Sequence, residues 1–173
     1  GGSRAAPGDH AETFVRRYAR APMKKFELPR DIVFNTGKIA DPAAFAKDAH
    51  AASWPYLNGA EFASMEGGMS FAQVENAVPR STNVISDPPR VLDLDLARKH
   101  VAALDDLPRP TLVTCRAGPR SSAVAYLYAG LREGASAEDV LAEAERQSAP
   151  FTKHDDLKAW LTTTLEALRR EGA

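Results

Sequence analysis

Apolar positions along this chain follow two rhythms. Short blocks have strand character, and longer stretches bring an apolar residue back every three or four places. Asp31-Ile32-Val33-Phe34-Asn35 predicts a strand closed by a Thr36-Gly37 turn. Asp41-Pro42 then supplies a cap and a first-turn proline for a helix through His50. Before them, Ala11 to Arg20 predicts a short helix with Phe14, Val15 and Tyr18 on one side, and Pro22 and Pro29 bracket a connector. Ser81 to Ser86 predicts a strand running into the rigid Asp87-Pro88-Pro89 loop. Leu94 to Leu104 is helical, and Thr111 to Thr114 is a short buried strand. A loop over Cys115 to Arg120 follows, and a helix begins at Ser121, capped by Ser121 or Ser122 and stopped by Gly134. Ser136 caps an acidic-ended helix, and a last helix runs from about His154 to Arg170 with Leu157, Trp160, Leu161, Leu165 and Leu168 inward. Strands alternating with helices predict an α/β fold around a small, mainly parallel sheet. Residues 53–80 are the hardest to read: Ser53-Trp54-Pro55 leaves the preceding helix, and Asn58-Gly59 and Gly67-Gly68 mark turns. The apolar pieces between them suit edge strands or an irregular excursion.

Composition narrows the function classes. The chain has 173 residues, 44% hydrophobic and 26% charged, with a net charge of −1. These are globular values without the positive field that nucleic acid or an acidic membrane surface would require. No apolar stretch is long enough for a membrane span. The single cysteine excludes an internal disulfide and a Cys-rich zinc site, and His10, His50, His100 and His154 have no ligand-like spacing. No metal and no cofactor is expected. Gly1-Gly2-Ser3 reads as a tag remnant. The arm that follows carries Arg4, Arg16, Arg17, Arg20, Lys24 and Lys25 against Asp9 and Glu12, so it suits a solvated basic helix or the remains of an organelle-targeting segment.

The chemistry concentrates in Thr111 to Ser122, TLVTCRAGPRSS. A strand that ends in a loop opening into a helix gathers backbone N–H groups and a positive dipole end around one spot. An anion binds there, and a thiol there ionises more easily. Cys115 takes the first loop position, Arg116 and Arg120 add charge, Gly118 permits an unusual backbone angle, and Ser121 offers a hydroxyl. Cys115 is the expected nucleophile and Arg120 the anion clamp, with Arg116, Ala117, Gly118, Pro119 and Ser121 completing the anion site. Arg116 is expected to face solvent at the mouth, and Ser121 to serve as a helix cap. Trp54 and Trp160 read as core or rim residues.

The run C-R-A-G-P-R-S, with four residues between Cys115 and Arg120, resembles two families. Rhodanese-type sulfurtransferases use a C-R-x-G-x-R loop and carry a persulfide on the cysteine. Dual-specificity-type cysteine phosphatases normally have one residue more and a histidine before the cysteine, where Thr114 stands here. Their beta-lactamase-hydrolase-like branch has the short form C-R-S-G-T-R-S. The flanks resemble the phosphatase order: strand, Asp-bearing loop, helix, strand, cysteine, then a loop helix ending at glycine and a Ser-capped acidic helix. The likeness is good over residues 80–150, weak over 31–50 and lost over 53–80.

That resemblance implies a cysteine-phosphatase-like α/β domain over residues 26–173, preceded by the tag remnant and basic arm over 1–25. It implies hydrolysis of a phosphate monoester through a thiophosphoryl intermediate on Cys115, with Arg120 gripping the phosphoryl oxygens and Asp87 as general acid. Asp87 equally suits a turn before Pro88. Asp93 and Asp95 are fallback acids that also fit the start of a helix. A sulfurtransferase with a persulfide on Cys115, and a catalytically inactive anion-binding or assembly module, are the alternatives. The partner is thus a small phosphorylated or sulfur-donor substrate, with a protein partner for the third case.

Overall fold

The computed structural model describes residues 25–173, so the expected helix at 11–20 and most of the basic arm lie outside the described residues. Four short strands and seven α-helices follow in order among them. They are β1 (Ile32–Phe34), α1 (Pro42–Asp48), β2 (Trp54–Tyr56), α2 (Ala60–Ala63), α3 (Phe71–Ala77) and β3 (Ser81–Asn83). Then come α4 (Leu94–Asp106), β4 (Thr111–Val113), α5 (Pro119–Glu133), α6 (Ala137–Arg146), a 3-10 turn (Pro150–Lys153) and α7 (Asp155–Arg170).

All pairings are parallel. β1 lies beside β4 with Ile32 opposite Thr111, and β2 beside β3 with Trp54 opposite Ser81. Bridges Ser53–Thr111 and Tyr56–Thr114 join the two pairs, giving the order β1-β4-β2-β3. The seam between β4 and β2 is thin for a chemical reason. Leu112 N donates to Ser53 O and Thr114 N to Pro55 O, so the parallel register calls for residue 55 to donate back to Leu112. Proline has no N–H to give. Proline is ordinarily kept to strand edges, and its presence here, with all three residues buried, left the segment without strand alternation in the sequence. Trp54–Tyr56 is accordingly an interior strand, where the pattern suggested an edge strand or an excursion.

Helices cover both faces of the sheet. Ile32 and Val113 turn to the larger core, with Val101 and Leu104 of α4, Val124 and Leu127 of α5, and Leu161 and Leu165 of α7. Leu112, Trp54 and Tyr56 turn to the other core, with Ala46 of α1, Phe62 of α2 and Val74 of α3. Caps set the helix starts: Asp41 accepts from Ala44 N, Asp93 from Leu96 N and Ser136 from Asp139 N. A reciprocal box between Ser70 and Gln73 opens α3. That signal stands in the sequence but was hidden among turn residues.

Candidate functional site

The loop after β4 is shorter than its sequence suggested. Gly118, not a serine, is the cap of α5, and Pro119 is the first helical residue. Pro119 brings no N–H that would need a partner, and its fixed φ suits a first turn. Gly118 has φ +112°, and a Cβ there would lie 2.3 Å from Asn35 O. Only glycine fits both the angle and the approach.

This tight turn folds the chain around sulfur. Cys115 Sγ accepts hydrogen bonds from Gly118 N at 3.2 Å and Ser121 N at 3.4 Å. Those two amides sit at the positive end of a 15-residue helix. Ser121 is therefore inside the helix and not its cap. Its hydroxyl donates to Asn35 Oδ1 at 2.8 Å and Gly118 O at 3.2 Å, and in turn accepts from Sγ at 3.4 Å. With its one proton shared between those acceptors, the Ser121 hydroxyl accepts the hydrogen bond from Sγ and does not donate to it.

Asn35, at the end of β1, is the partner that sequence reasoning missed. Its Nδ2 donates to Cys115 O at 2.9 Å and to Gly37 O, and its Oδ1 accepts from Cys115 N at 3.2 Å. One amide thus clamps both backbone groups of the cysteine. Beneath the loop, Thr114 is fully buried and accepts from Trp54 Nε1 at 2.8 Å.

Arg120 points from the first turn of α5 toward the loop after β3. Its Nη1 donates to Ser86 O and to Arg90 O, the latter at 2.8 Å. Burial lowers its pKa from the ordinary value, against the opposing pull of Asp87, Cys115 and Asp156. It remains a cation in any case. Ser86 is held from behind: its hydroxyl donates to Val84 O and lies 2.7 Å from His100 Nε2. Since that hydroxyl has one proton, His100 carries its proton on Nε2, which leaves the buried Nδ1 without a partner. Burial pushes the His100 pKa down to about 4.

Asp87 is 1% exposed. Its Oδ1 accepts from Gly59 N at 3.0 Å and Arg90 Nη1 at 2.9 Å, and its Oδ2 from Asn58 Nδ2 at 3.2 Å and Arg116 Nη2 at 3.0 Å. Burial alone would raise this carboxyl. The bonds from Asn58, Gly59 and Arg116, with the Arg116 charge, outweigh it and hold the pKa below the usual carboxylate value. Arg116 does not point into solvent as expected. It is tied to Asp87 and Pro88 O, and its guanidinium lies 5.7 Å from the Phe62 ring centroid. A buried carboxylate and an aromatic face together outbid water for it. Arg90 extends the network outward to Glu61. Asp93 caps α4 and Asp95 pairs with Arg98, so both belong to the helix start.

A cavity of about 320 Å³ opens over the sulfur. The predicted Cys115, Arg116, Ala117, Pro119, Arg120 and Asp87 line it, while Gly118 and Ser121 lie beneath as backbone and hydroxyl partners. His154, Asp156 and Leu157, at the start of α7, complete the wall and were not expected there. Among the described residues no cluster of three metal-ligating side chains occurs. No described helix is long and apolar enough to cross a membrane.

No protein-family model matches this sequence, and no curated protein matches it either. Among solved structures the chain is similar to PTPMT1, a phosphatase crystallised in complex with PI(5)P. The TM-score is 0.58 over 86% of this chain and 98% of that one, at 13% identity. A likeness at that identity is one of architecture. The parallel sheet, its flanking helices and the order in which they follow one another make this a mixed α/β, phosphatase-like fold.

Proposed function

We propose that the protein is a cysteine-dependent hydrolase of phosphate monoesters. The observation that carries this reading is the cradle of Cys115. Its sulfur receives two backbone N–H groups at the end of a long helix and shares one cavity with Arg120. In the reaction the thiolate attacks phosphorus, the S–P bond forms and the ester P–O bond breaks. Arg120 stabilises the charge that gathers on the phosphoryl oxygens, using donors on Nε and Nη2 beyond those bound to Ser86 and Arg90. Water then cleaves the S–P bond and restores the thiolate. Asp87, the general acid by resemblance, stands here as an ionised acceptor that orients Arg116, Arg90 and the Asn58-Gly59 turn. PI(5)P in the similar structure carries a phosphate monoester on its ring, which agrees with this substrate class.

The four-residue spacing between Cys115 and Arg120 favours a second reading, persulfide transfer on the same sulfur. Intact-mass measurement after incubation with an aryl phosphate or with thiosulfate separates them. The phosphatase reading expects a phosphorylated protein, phosphate release blocked by vanadate, and loss of both in Cys115→Ser. A persulfide adduct alone selects sulfur transfer. Neither adduct, with phosphate or sulfate still bound, leaves an anion-binding module.

A further inference from the structure

A phosphatase of this kind needs a proton for the departing oxygen, and two observations bear on where it comes from. Asp87 is buried and both of its oxygens are occupied by N–H donors from Gly59, Arg90, Asn58 and Arg116. A carboxyl in that state has no free oxygen on which to carry and present a proton. Lining the same cavity is His154, exposed, one residue before α7. It occupies the cap position of that helix but its side chain makes no capping bond. Its backbone N–H donates to Phe151 O and its carbonyl accepts from Leu157 N and Lys158 N, and the imidazole has no hydrogen-bond partner among the described residues. The cavity therefore contains one saturated carboxylate and one uncommitted imidazole.

We infer that His154 is the proton donor to the leaving group, an assignment that rests on the phosphatase reading above. As Sγ bonds to phosphorus and the P–O bond breaks, the imidazolium proton of His154 passes to the departing oxygen, yielding a neutral alcohol and a neutral imidazole. In the second step the imidazole takes a proton from the attacking water, the S–P bond breaks, and the electron pair returns to sulfur. The charged groups beside His154 in the chain are Lys153, Asp155 and Asp156, and Arg120, Asp87 and Arg116 line the same cavity.

Leaving-group dependence is the test, because a good leaving group departs without a proton. Full-length wild type, His154→Gln, His154→Ala and Asp87→Asn are compared on dinitrophenyl phosphate and phenyl phosphate by kcat/KM. His154→Gln should lower the phenyl rate by about 10²-fold, within the range of general-acid effects, and leave the dinitrophenyl rate nearly unchanged. Added imidazole should restore part of the phenyl rate in His154→Ala. Equal losses on both substrates, or no loss on either, would overturn the assignment. A selective loss in Asp87→Asn with His154→Gln unaffected would also overturn it and return the proton to Asp87. If wild type releases phosphate from neither substrate and gains no phosphoryl mass, the phosphatase reading falls and this inference with it. That outcome is distinct because it appears before any substitution is made.

Discussion

At the scale of single residues, the site depends on groups that have no alternative at their positions. Gly118 combines a left-handed backbone angle with contact against Asn35 O. Gly118→Ala must either push β1 away from the loop or unwind the first turn of α5. We expect a loss of ~3 kcal/mol from strain and overpacking together, read as a lower denaturation midpoint at unchanged slope. An unaltered midpoint would mean that the loop relaxes freely. Asn35 is equally committed, since its amide satisfies both backbone groups of Cys115. Thr114 is committed as well, because its hydroxyl is the acceptor of the Trp54 indole N–H.

At the scale of elements, α4 supports the site from behind through His100. His100 donates to Ser86, and the backbone of Ser86 fixes Arg120. That histidine also makes stability depend on pH, and the sign follows from the direction of its shift. Its folded pKa, about 4, lies below the ordinary 6.5, so the folded protein refuses a proton that the unfolded chain accepts. The contribution to stability is complete above pH 6.5 and erodes as pH falls toward 4, at up to about 1.4 kcal/mol per pH unit. Denaturation across that pH range should show this slope in wild type and a flatter one in His100→Gln. Parallel slopes would mean that His100 titrates as it does in water.

Legibility in the sequence also divides by element. α4 and α6 are readable because each combines a cap residue, Asp93 or Ser136, with an apolar stripe; α1 is readable from its Asp41-Pro42 start and α7 from its long apolar stripe. β2 is not, because three residues buried on both faces and interrupted by Pro55 carry no period. The loop residues were legible since Cys115, Gly118 and Arg120 are neighbours in the chain. Asn35 and His154 were not, because only the parallel register and the docking of α7 bring them to Cys115 from distant parts of the chain.

At the scale of the whole molecule, the seam between β4 and β2 is the weakest line in the sheet. Pro55→Val supplies the missing donor. The gain of ~1 kcal/mol from one hydrogen bond is offset by about 0.4–1 kcal/mol of unfolded-chain freedom regained with the proline gone. Net stability should therefore barely change, while the new amide at 55 exchanges as slowly as its core neighbours in hydrogen-exchange NMR. Rapid exchange there would show that the register at the seam is not the one described.

The seam also sorts the site into two sets of parts. Sulfur, its amide cradle and Asn35 hang from β1, β4 and α5, whereas Asn58, Ser86, Asp87 and Arg90 follow β2 and β3. The guanidinium groups of Arg116 and Arg120 reach across from the first set to the second. An inheritance of changes confined to the β2–β3 side can thus reshape what the cavity admits without disturbing the atoms around sulfur. A lineage can in this way alter its diet while keeping its teeth.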